Sequence, residues 1–515
     1  MNSRVRALRL SCAFAAAALC AGPITAGPIE ALYTTIPGHP TSVVPGMDGM
    51  TFNPGVTTQF DRPYASPSGQ RWIMRARLAP PATNENNEVI LVGWDRLAAV
   101  ALREGASDGL GPGEVYGAFG RVMGINDAGQ FVFSSRALSG SSGRDVIMKW
   151  DGGRFGTVAR EQMPAPAAQG GLYGAPLDSP NILNDGVGTV CFRAGNIQFG
   201  QRAGQAIWYR GEQILAATRD PEFAPYGQLD DPSVNWGSLE PGRLRVDASG
   251  EHWIGMGVLQ APVLAQAVVV NNGVVAQQGA VLLWDPMGRT VAPVASAAVD
   301  ESMSHNGRCW MTRGAFTNTD DYVVRNGVLV ASTGGRITVR PGETERYGDL
   351  SYPQTFFLNV CNGAGDYLIG GVTNAPDDDA NAVVVLNRRR VVVREGDPID
   401  LDGDGDATND DAYVGVFNND DAFYTDDGWF YFTADLRNGA GALTGQGLLR
   451  VRVCAADWDG SGRVASNDIA AYLTDWIAEI GRPSGLADYN EDGSVDSEDI
   501  SAFLTAWLAA LAAGC

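Results

Sequence analysis

Short runs in which every second residue is apolar fill most of the chain, and Gly, Asn, Asp or Pro bound each run. Such runs read as strands of antiparallel sheet. One combination keeps returning: a polar turn, a glycine, then an alternating strand. It occurs as ASPSGQRWIMRARL, INDAGQFVFSSRA, LNDGVGTVCFRAG, VDASGEHWIGMG, SHNGRCWMTRG, CNGAGDYLIGG and YTDDGWFYFTADL. The glycines are Gly69, Gly129, Gly188, Gly250, Gly307, Gly365 and Gly428, spaced 60, 59, 62, 57, 58 and 63 residues apart. A near-constant period of this length marks a repeat architecture.

Each unit continues alike. A second apolar run follows (DVIMKWDGG, QAIWYRGEQ, AVVVNNGVV), then a tight turn and a third strand (LAAVALREG, RVVVREGDP). A loop and one more short strand, as in VYGAFGRVMGIND, lead into the next unit. Four strands in about 60 residues is the size of a propeller blade. The mature N-terminus, ALYTTIPGHPTSVVPGMDGM, resembles the strand and loop AVALREGASDGLGPGEVYG, whereas the seventh unit stops at GLLRVRV without that strand. The expectation is an all-β, seven-bladed β-propeller over residues 27–453, closed by the N-terminal strand so that no sheet edge stays open. Six or eight blades, or an array of two-sheet sandwiches, are the alternatives.

The repeat resembles a family of secreted bacterial proteins built from tandem N-x-x-G-x-x-x-F-x-A units, on NDAGQFVFSSRA and NDGVGTVCFRA. The remaining copies are degenerate: VDASGEHWIGMG lacks the leading Asn, and SHNGRCWMTRG lacks the Asn-Asp pair. The resemblance implies export and a repeated β-architecture, and no mechanism.

Beyond residue 453 the period changes. Ile469, Tyr472, Leu473, Trp476, Ile477 and Ile480 follow helical spacing, and so do Ile500, Phe503, Leu504, Trp507, Leu508 and Leu511. Each set draws one apolar stripe, so two helices should pack on each other. A calcium loop precedes each helix. Asp488, Asn490, Asp492, Ser494 (through its carbonyl) and Asp499 hold positions 1, 3, 5, 7 and 12, with Gly493 at the sharp turn. Asp457, Asp459, Ser461, Arg463 (through its carbonyl) and Asp468 hold them in the first loop. Oxygens at this spacing converge on one Ca²⁺, so two ions are expected. A duplicated loop-helix with no leading helix, Asp at position 12, Cys454 ahead of the first loop and a terminal Gly514-Cys515 resembles a GC-type dockerin over residues 454–515. The resemblance implies a calcium-dependent module that docks its carrier on a cohesin-like or other surface receptor. It places Ser466, Asn467, Ser497 and Glu498 at the receptor contact, and it implies a Cys454–Cys515 disulfide. The alternative is a calcium-stabilised cap with no receptor.

The N-terminus adds location. Arg4, Arg6 and Arg9 precede an apolar run over 10–21 and a small-residue exit over 23–26, the form of a secretory signal peptide spanning 1–26. No later segment is apolar enough to span a membrane, so the mature chain should be secreted or attached at the cell surface. The formal net charge of -22 disfavours nucleic acid and anionic lipid and favours cations. Export permits disulfides, but the mature chain keeps an odd set: Cys191, Cys309, Cys361, Cys454 and Cys515. A third acidic loop, DLDGDGDATNDD, sets out Asp400, Asp402, Asp404, Asp406 and Asp411 for a further, structural Ca²⁺. Ala407 stands there in place of a hydrophobic anchor.

Catalytic motifs are absent: no H-E-x-x-H, G-x-S-x-G, P-loop or C-x-x-C occurs, and His39, His252 and His305 fall in separate units. The recurrent tryptophans (Trp72, Trp94, Trp150, Trp208, Trp253, Trp310, Trp429) read as blade core. Two functions remain, beside the possibility that the propeller is purely structural. The first is a non-enzymatic binding or display protein with an unknown propeller ligand. The second is a polysaccharide hydrolase or lyase held near its substrate by the tail, which needs paired carboxylates and exposed tryptophans at one end of the axis.

Overall fold

The computed structural model describes residues 28–513 except 169, 200–201, 219–228, 232, 262–263, 283–284, 294–299, 341–342, 349–353, 460–462, 481–486 and 491. The expected signal segment 1–26, Ser461 and Cys515 lie outside the described residues.

Seven sheets of antiparallel strands follow one another along the chain. The first strand of each blade lies innermost, and all seven contribute to one axial cavity. In order these are Tyr64–Ala65, Val115–Ile125, Leu172–Ile182, Asn235–Val246, Asp300–Met303, Phe356–Cys361 and Tyr413–Tyr424. A separate hairpin, Arg336–Arg340 with Glu343–Arg346, is inserted between blades 5 and 6. In blade 7 the N-terminal strand Ile29–Thr34 lies antiparallel to Leu443–Arg452, with Glu30 opposite Arg450 and Thr34 opposite Gly447. Its other edge pairs with Ile399–Asp400 in parallel.

Apolar layers fill the spaces between neighbouring blades. Trp208, Trp236 and Trp253 fill one, and Leu32, Phe52, Phe60, Trp72, Tyr431 and Leu448 join the last blade to the first. Trp72, Trp208 and Trp253 are therefore core, while Trp94 lies at the surface with the Arg71 guanidinium 4.6 Å from its ring centroid.

The repeat glycines sit at the turn from the first to the second strand of each blade. All seven have positive φ, between +67° and +99°, where a side chain is disfavoured. In blade 3 the turn opens earlier, at Leu183, but in all seven blades the residue three places before the glycine is Ser66, Asn126, Asp185, Asp247, Ser304, Asn362 or Thr425. In every copy its side-chain oxygen accepts a backbone N–H four or five residues later. The unit needs a short polar acceptor rather than asparagine, and this explains the degenerate copies.

The turns also clasp one another. Ser68 N–H donates to Asp127, Asn126 Nδ2 to the Leu183 carbonyl, and Asn184 N–H to the Ala248 carbonyl. Onward, Ala248 N–H donates to the His305 carbonyl, Asn306 Nδ2 to the Gly363 carbonyl, and Asn362 Nδ2 to the Thr425 carbonyl. Thr425 packs against Gly69 of blade 1. A belt of turns runs around one end of the axis.

The tail holds two helices, α1 (Ser466–Glu479) and α2 (Ser497–Ala513). Tyr472, Ala487, Val495 and Phe503 form its small core, with the Tyr472 and Phe503 rings stacked at 4.2 Å. The apolar stripes pack only in part. Ile469, Leu473, Trp476, Ile500, Leu504 and Trp507 close on the core, but Ile477, Ile480, Leu508 and Leu511 stay exposed.

Candidate functional site

At the end of the axis away from the belt the inner strands are irregular. Register shifts interrupt Val115–Ile125, Leu172–Ile182, Asn235–Val246 and Tyr413–Tyr424. Bulges re-aim side chains, and here they carry Arg121, Ser179, Arg243 and Asp421. Ser179 has φ +55°, and its hydroxyl accepts from Gly242 N–H of the next blade at 2.8 Å.

A charged cluster fills this end. Arg243 of blade 4 pairs with Asp300 of blade 5 at 2.7 Å. Arg62, from blade 1, reaches across the axis to the same carboxylate at 3.4 Å. Asp61 holds Arg75 and Arg121. Behind them Arg313 donates to Asn359 Oδ1 at 3.1 Å. Burial would push Asp300 up, but Arg62, Arg313 and Arg243 overcome it and keep the carboxylate far below its ordinary range. Glu301 fares differently. Its oxygens have no hydrogen-bond partner, the nearest guanidinium nitrogens are 3.6 Å (Arg243) and 4.0 Å (Arg245) away, and burial followed by the Asp300 charge pushes it up to about 7. Asp300 thus stays ionised while its neighbour Glu301 titrates around neutrality.

Between this cluster and the belt lies a cavity of about 130 Å³. Arg62, Tyr64 and Arg245 line it toward the cluster, and His305, Phe423 and Tyr424 line it toward the belt. Burial lowers the His305 pKa and raises that of Tyr64, so both are neutral at physiological pH. None of the recurrent tryptophans lines the cavity. Sequence reasoning missed this cluster because its residues belong to no repeat; the bulges that assemble it break the alternation the repeat was found by. The one available signal was the pair of adjacent acids, Asp300-Glu301, just ahead of a glycine turn.

The predicted calcium residues lie in the tail and one loop. Carboxylate oxygens of Asp457, Asp459 and Asp468 lie within 4.8 Å of one another. Both loops fold alike around position 12. Asp468 accepts from Asp459 N–H and Ala465 N–H, and Asp499 accepts from Asn490 N–H and Asp496 N–H. Asp488 Oδ1 is buried with no hydrogen-bond partner, while Oδ2 accepts from Gly493 N–H. Burial pushes the Asp468 and Asp488 carboxyls up. Asn490 and Asp492 bond each other, and Asp492 also accepts from Ser494 N–H, all at the surface. Arg463 is exposed. These sets suit a hard cation taking several oxygens.

In the third loop Asp400, Asp402 and Asp404 come together, with Asp400 buried and accepting from Gly403 N–H and Gly405 N–H. Asp406 accepts instead from Thr408, and Asp411 from Gly439 N–H of a neighbouring turn, which takes both away from that group. Ser466, Asn467, Ser497 and Glu498 are exposed at the first turns of α1 and α2. Cys454 is buried, and Cys191, Cys309 and Cys361 are buried thiols.

The tail rests on the belt end. The turn joining the outer strands of blade 6 presents Arg389, which donates to the Asp488 and Tyr489 carbonyls at 2.8 and 2.9 Å and lies 4.6 Å from the Tyr489 ring centroid. Arg390 reaches the Cys454 carbonyl at 3.2 Å and the Asp457 carboxylate at 2.9 Å. Every second turn of an antiparallel blade returns to the same end, and Asn387 of this turn bonds Asp366 beside the glycine turn. The bulged end therefore stays clear of the tail.

No family model and no curated protein matches the sequence. Among solved structures the chain is similar to a protein of unknown function from Dyadobacter fermentans, at TM-score 0.30 and 9% identity over 79% of this chain and 100% of that one. It is also similar to an oligogalacturonate lyase in complex with manganese, at TM-score 0.27 and 11% identity over 76% and 77%. A third is the β-propeller domain of the Trilobed protease from Pyrococcus furiosus, at TM-score 0.25 and 9% identity over 75% and 84%. Scores this low carry no argument about activity. The chain is a seven-bladed propeller with a C-terminal helical region.

Proposed function

We propose that this is an exported binding or display protein, its ring closed by Ile29–Thr34 in the seventh sheet. In this reading residues 454–515 form a calcium-dependent docking module of dockerin type that holds the propeller on a cohesin-like or other cell-surface receptor. The observation that carries the reading is the duplication inside the tail. Two loops share one hydrogen-bond scheme around Asp468 and Asp499 and leave equivalent first-turn residues exposed, and the first of them gathers Asp457, Asp459 and Asp468. The exposed Ile477, Ile480, Leu508 and Leu511 add apolar surface that a receptor would cover. A four-residue core is too small to hold such a module alone, so two ions and a Cys454–Cys515 clasp complete it. Asp400, Asp402 and Asp404 would hold a third, structural ion.

The hydrolase or lyase alternative rests on Asp300 and Glu301. Both are buried beneath arginines, and no tryptophan platform accompanies them. The binding reading therefore stands ahead.

The test is capture of envelope and culture-supernatant proteins by the full chain in calcium and in EDTA, beside Asp488→Ala/Asp499→Ala and Ser497→Ala/Glu498→Ala variants. One partner retained only in calcium, lost by the first variant and weakened by the second, is the expected result. Capture indifferent to calcium and to both variants sinks the docking reading and leaves the tail as a cap.

A further inference from the structure

We propose that Cys309 and Cys361 are the two halves of a disulfide that staples blade 5 to blade 6 at the belt end. Cys309 stands two places after Gly307, immediately ahead of the second strand of blade 5, Trp310–Ala315. Cys361 closes the inner strand of blade 6, Phe356–Cys361. Both are buried, both belong to the apolar layer between these two blades, and their thiols hydrogen-bond each other. The belt clasps the same two turns beside them, with Asn306 Nδ2 donating to the Gly363 carbonyl at 2.8 Å. Two sulfurs in contact, carried on backbone that is held in place, are what a disulfide requires.

The repeat does not ask for cysteine at this junction. The positions two after one repeat glycine and four before the next hold Val190 and Val246 for blades 3 and 4, and Tyr367 and Tyr424 for blades 6 and 7. Only for blades 5 and 6 do both hold cysteine. Cys191 lies apart, in blade 3. Burial, and then the neighbouring Cys309 thiol, push the Cys361 thiol well up, so in the closed ring it is not the thiolate that exchanges. The bond therefore forms as blades 5 and 6 come together, and burial shields it afterwards. A small disulfide such as oxidised glutathione balances the reaction. Cys309 and Cys361 give up two protons and two electrons as one S–S bond forms, and the S–S bond of the oxidant breaks to two thiols. The staple joins residues 52 apart in sequence, across the inserted hairpin, and so restricts the unfolded chain. Export, as proposed above, supplies the oxidising surroundings, whereas the pair itself depends on neither the tail nor a receptor.

The test makes the full chain twice, in a reducing bacterial cytoplasm and, behind a host export signal, in an oxidising periplasm. Each sample is alkylated in denaturant and mapped by mass spectrometry of its unreduced peptides. The periplasmic chain should show the Cys309 peptide linked to the Cys361 peptide with Cys191 alkylated, and the cytoplasmic chain should show all three alkylated. If the chain is not recovered from the periplasm, cytoplasmic chain refolded from denaturant in reduced and oxidised glutathione is read instead and must carry the same link. In calcium the linked form should unfold a few degrees above the reduced form. Cys309→Ala/Cys361→Ala should abolish that difference, and Cys454→Ala, which removes any clasp in the tail, should keep it. Cys309 and Cys361 both alkylated after oxidation, either of them linked to another cysteine, or a link that leaves the unfolding temperature unchanged overturns the proposal. With a host signal and no receptor present, none of these outcomes bears on the docking reading.

Discussion

The two ends of the propeller axis are built from the same seven inner strands and obey different rules. At the belt end every blade repeats one turn, its polar opener satisfied locally and its neighbour clasped by a hydrogen bond or a packed side chain. At the other end inner strands bulge, Arg62 crosses the axis to Asp300, and Arg245 Nε, both Glu301 oxygens, Thr312 Oγ1 and Asn359 Nδ2 have no hydrogen-bond partner among the described residues. Native proteins keep few such atoms, and they concentrate where a ligand or a strained geometry is tolerated for function. The belt end is organised for stability and the bulged end gives some of it up. If that is right, substitutions at the two ends should differ in sign as well as size.

The largest loss is expected at Gly307. Its φ is +69°, and an added Cβ would meet the His252 ring at 2.5 Å. Gly307→Ala should cost about 2–4 kcal/mol, from backbone strain and the clash together, read by denaturant unfolding. Gly140→Ala is the control, at φ +61° with nothing within 4 Å, and should cost only about 1 kcal/mol. Equal losses would mean that the belt contributes no more than its backbone conformation.

Next comes Asn126, buried, with Oδ1 accepting from Gln130 N–H inside the turn and Nδ2 donating to Leu183 in the next blade. Asn126→Ala should cost about 1–3 kcal/mol by orphaning both groups. Asn126→Ser should cost less, since Ser66 and Ser304 open equivalent turns through their hydroxyls. A serine variant as damaged as the alanine one would show that the clasp between blades, rather than the turn, holds the end together.

The bulged end should respond in the opposite direction. Glu301 titrates near 7 in the fold and near its ordinary, lower value when unfolded, so the native state holds the extra proton between those two values. Stability from this group is therefore full at low pH, falls as pH rises through that window and levels off above about 7. Glu395, also pushed up to about 7 by burial, adds to the same slope. Glu301→Gln should be near neutral at pH 5 and stabilise the protein by about 1–2 kcal/mol at pH 8. A destabilised variant at both pH values would make Glu301 an ordinary structural partner of Arg245 and erase the contrast between the ends.

The belt was legible in the sequence because its chemistry repeats: Gly69 to Gly428 fall at one period, and a short polar residue stands three places before each glycine. Asn126 and Asn362 displayed the motif openly, while Asp247, Ser304 and Thr425 hid it by using another acceptor for the same bond. The acidic loops ahead of α1 and α2 were legible for a similar reason, since their oxygen-bearing side chains recur at one spacing along a continuous stretch. The charged cluster was not. Arg62, Arg243 and Asp300 are far apart in sequence and belong to blades 1, 4 and 5, and only ring closure brings them together. The tail's resting place was equally hidden, because Arg389 and Arg390 read as part of an outer-strand turn.

That turn gives the smallest expected effect and sharpens the comparison most. Arg389 binds two carbonyls in the loop ahead of α2 and lies over Tyr489, all at the belt end. Arg389→Ala should cost about 0.5–2 kcal/mol, confined to the tail. Hydrogen exchange should quicken over residues 454–513 and stay unchanged in the seven glycine turns, in calcium and in EDTA alike. That outcome makes the belt self-sufficient and the tail a module seated on it, free to meet a receptor while the bulged mouth stays open. Exchange that also quickens at Gly365 and Gly428 would mean that the tail braces the ring. The belt would then owe part of its order to calcium, and the two ends would differ by what is docked on them rather than by how they are built.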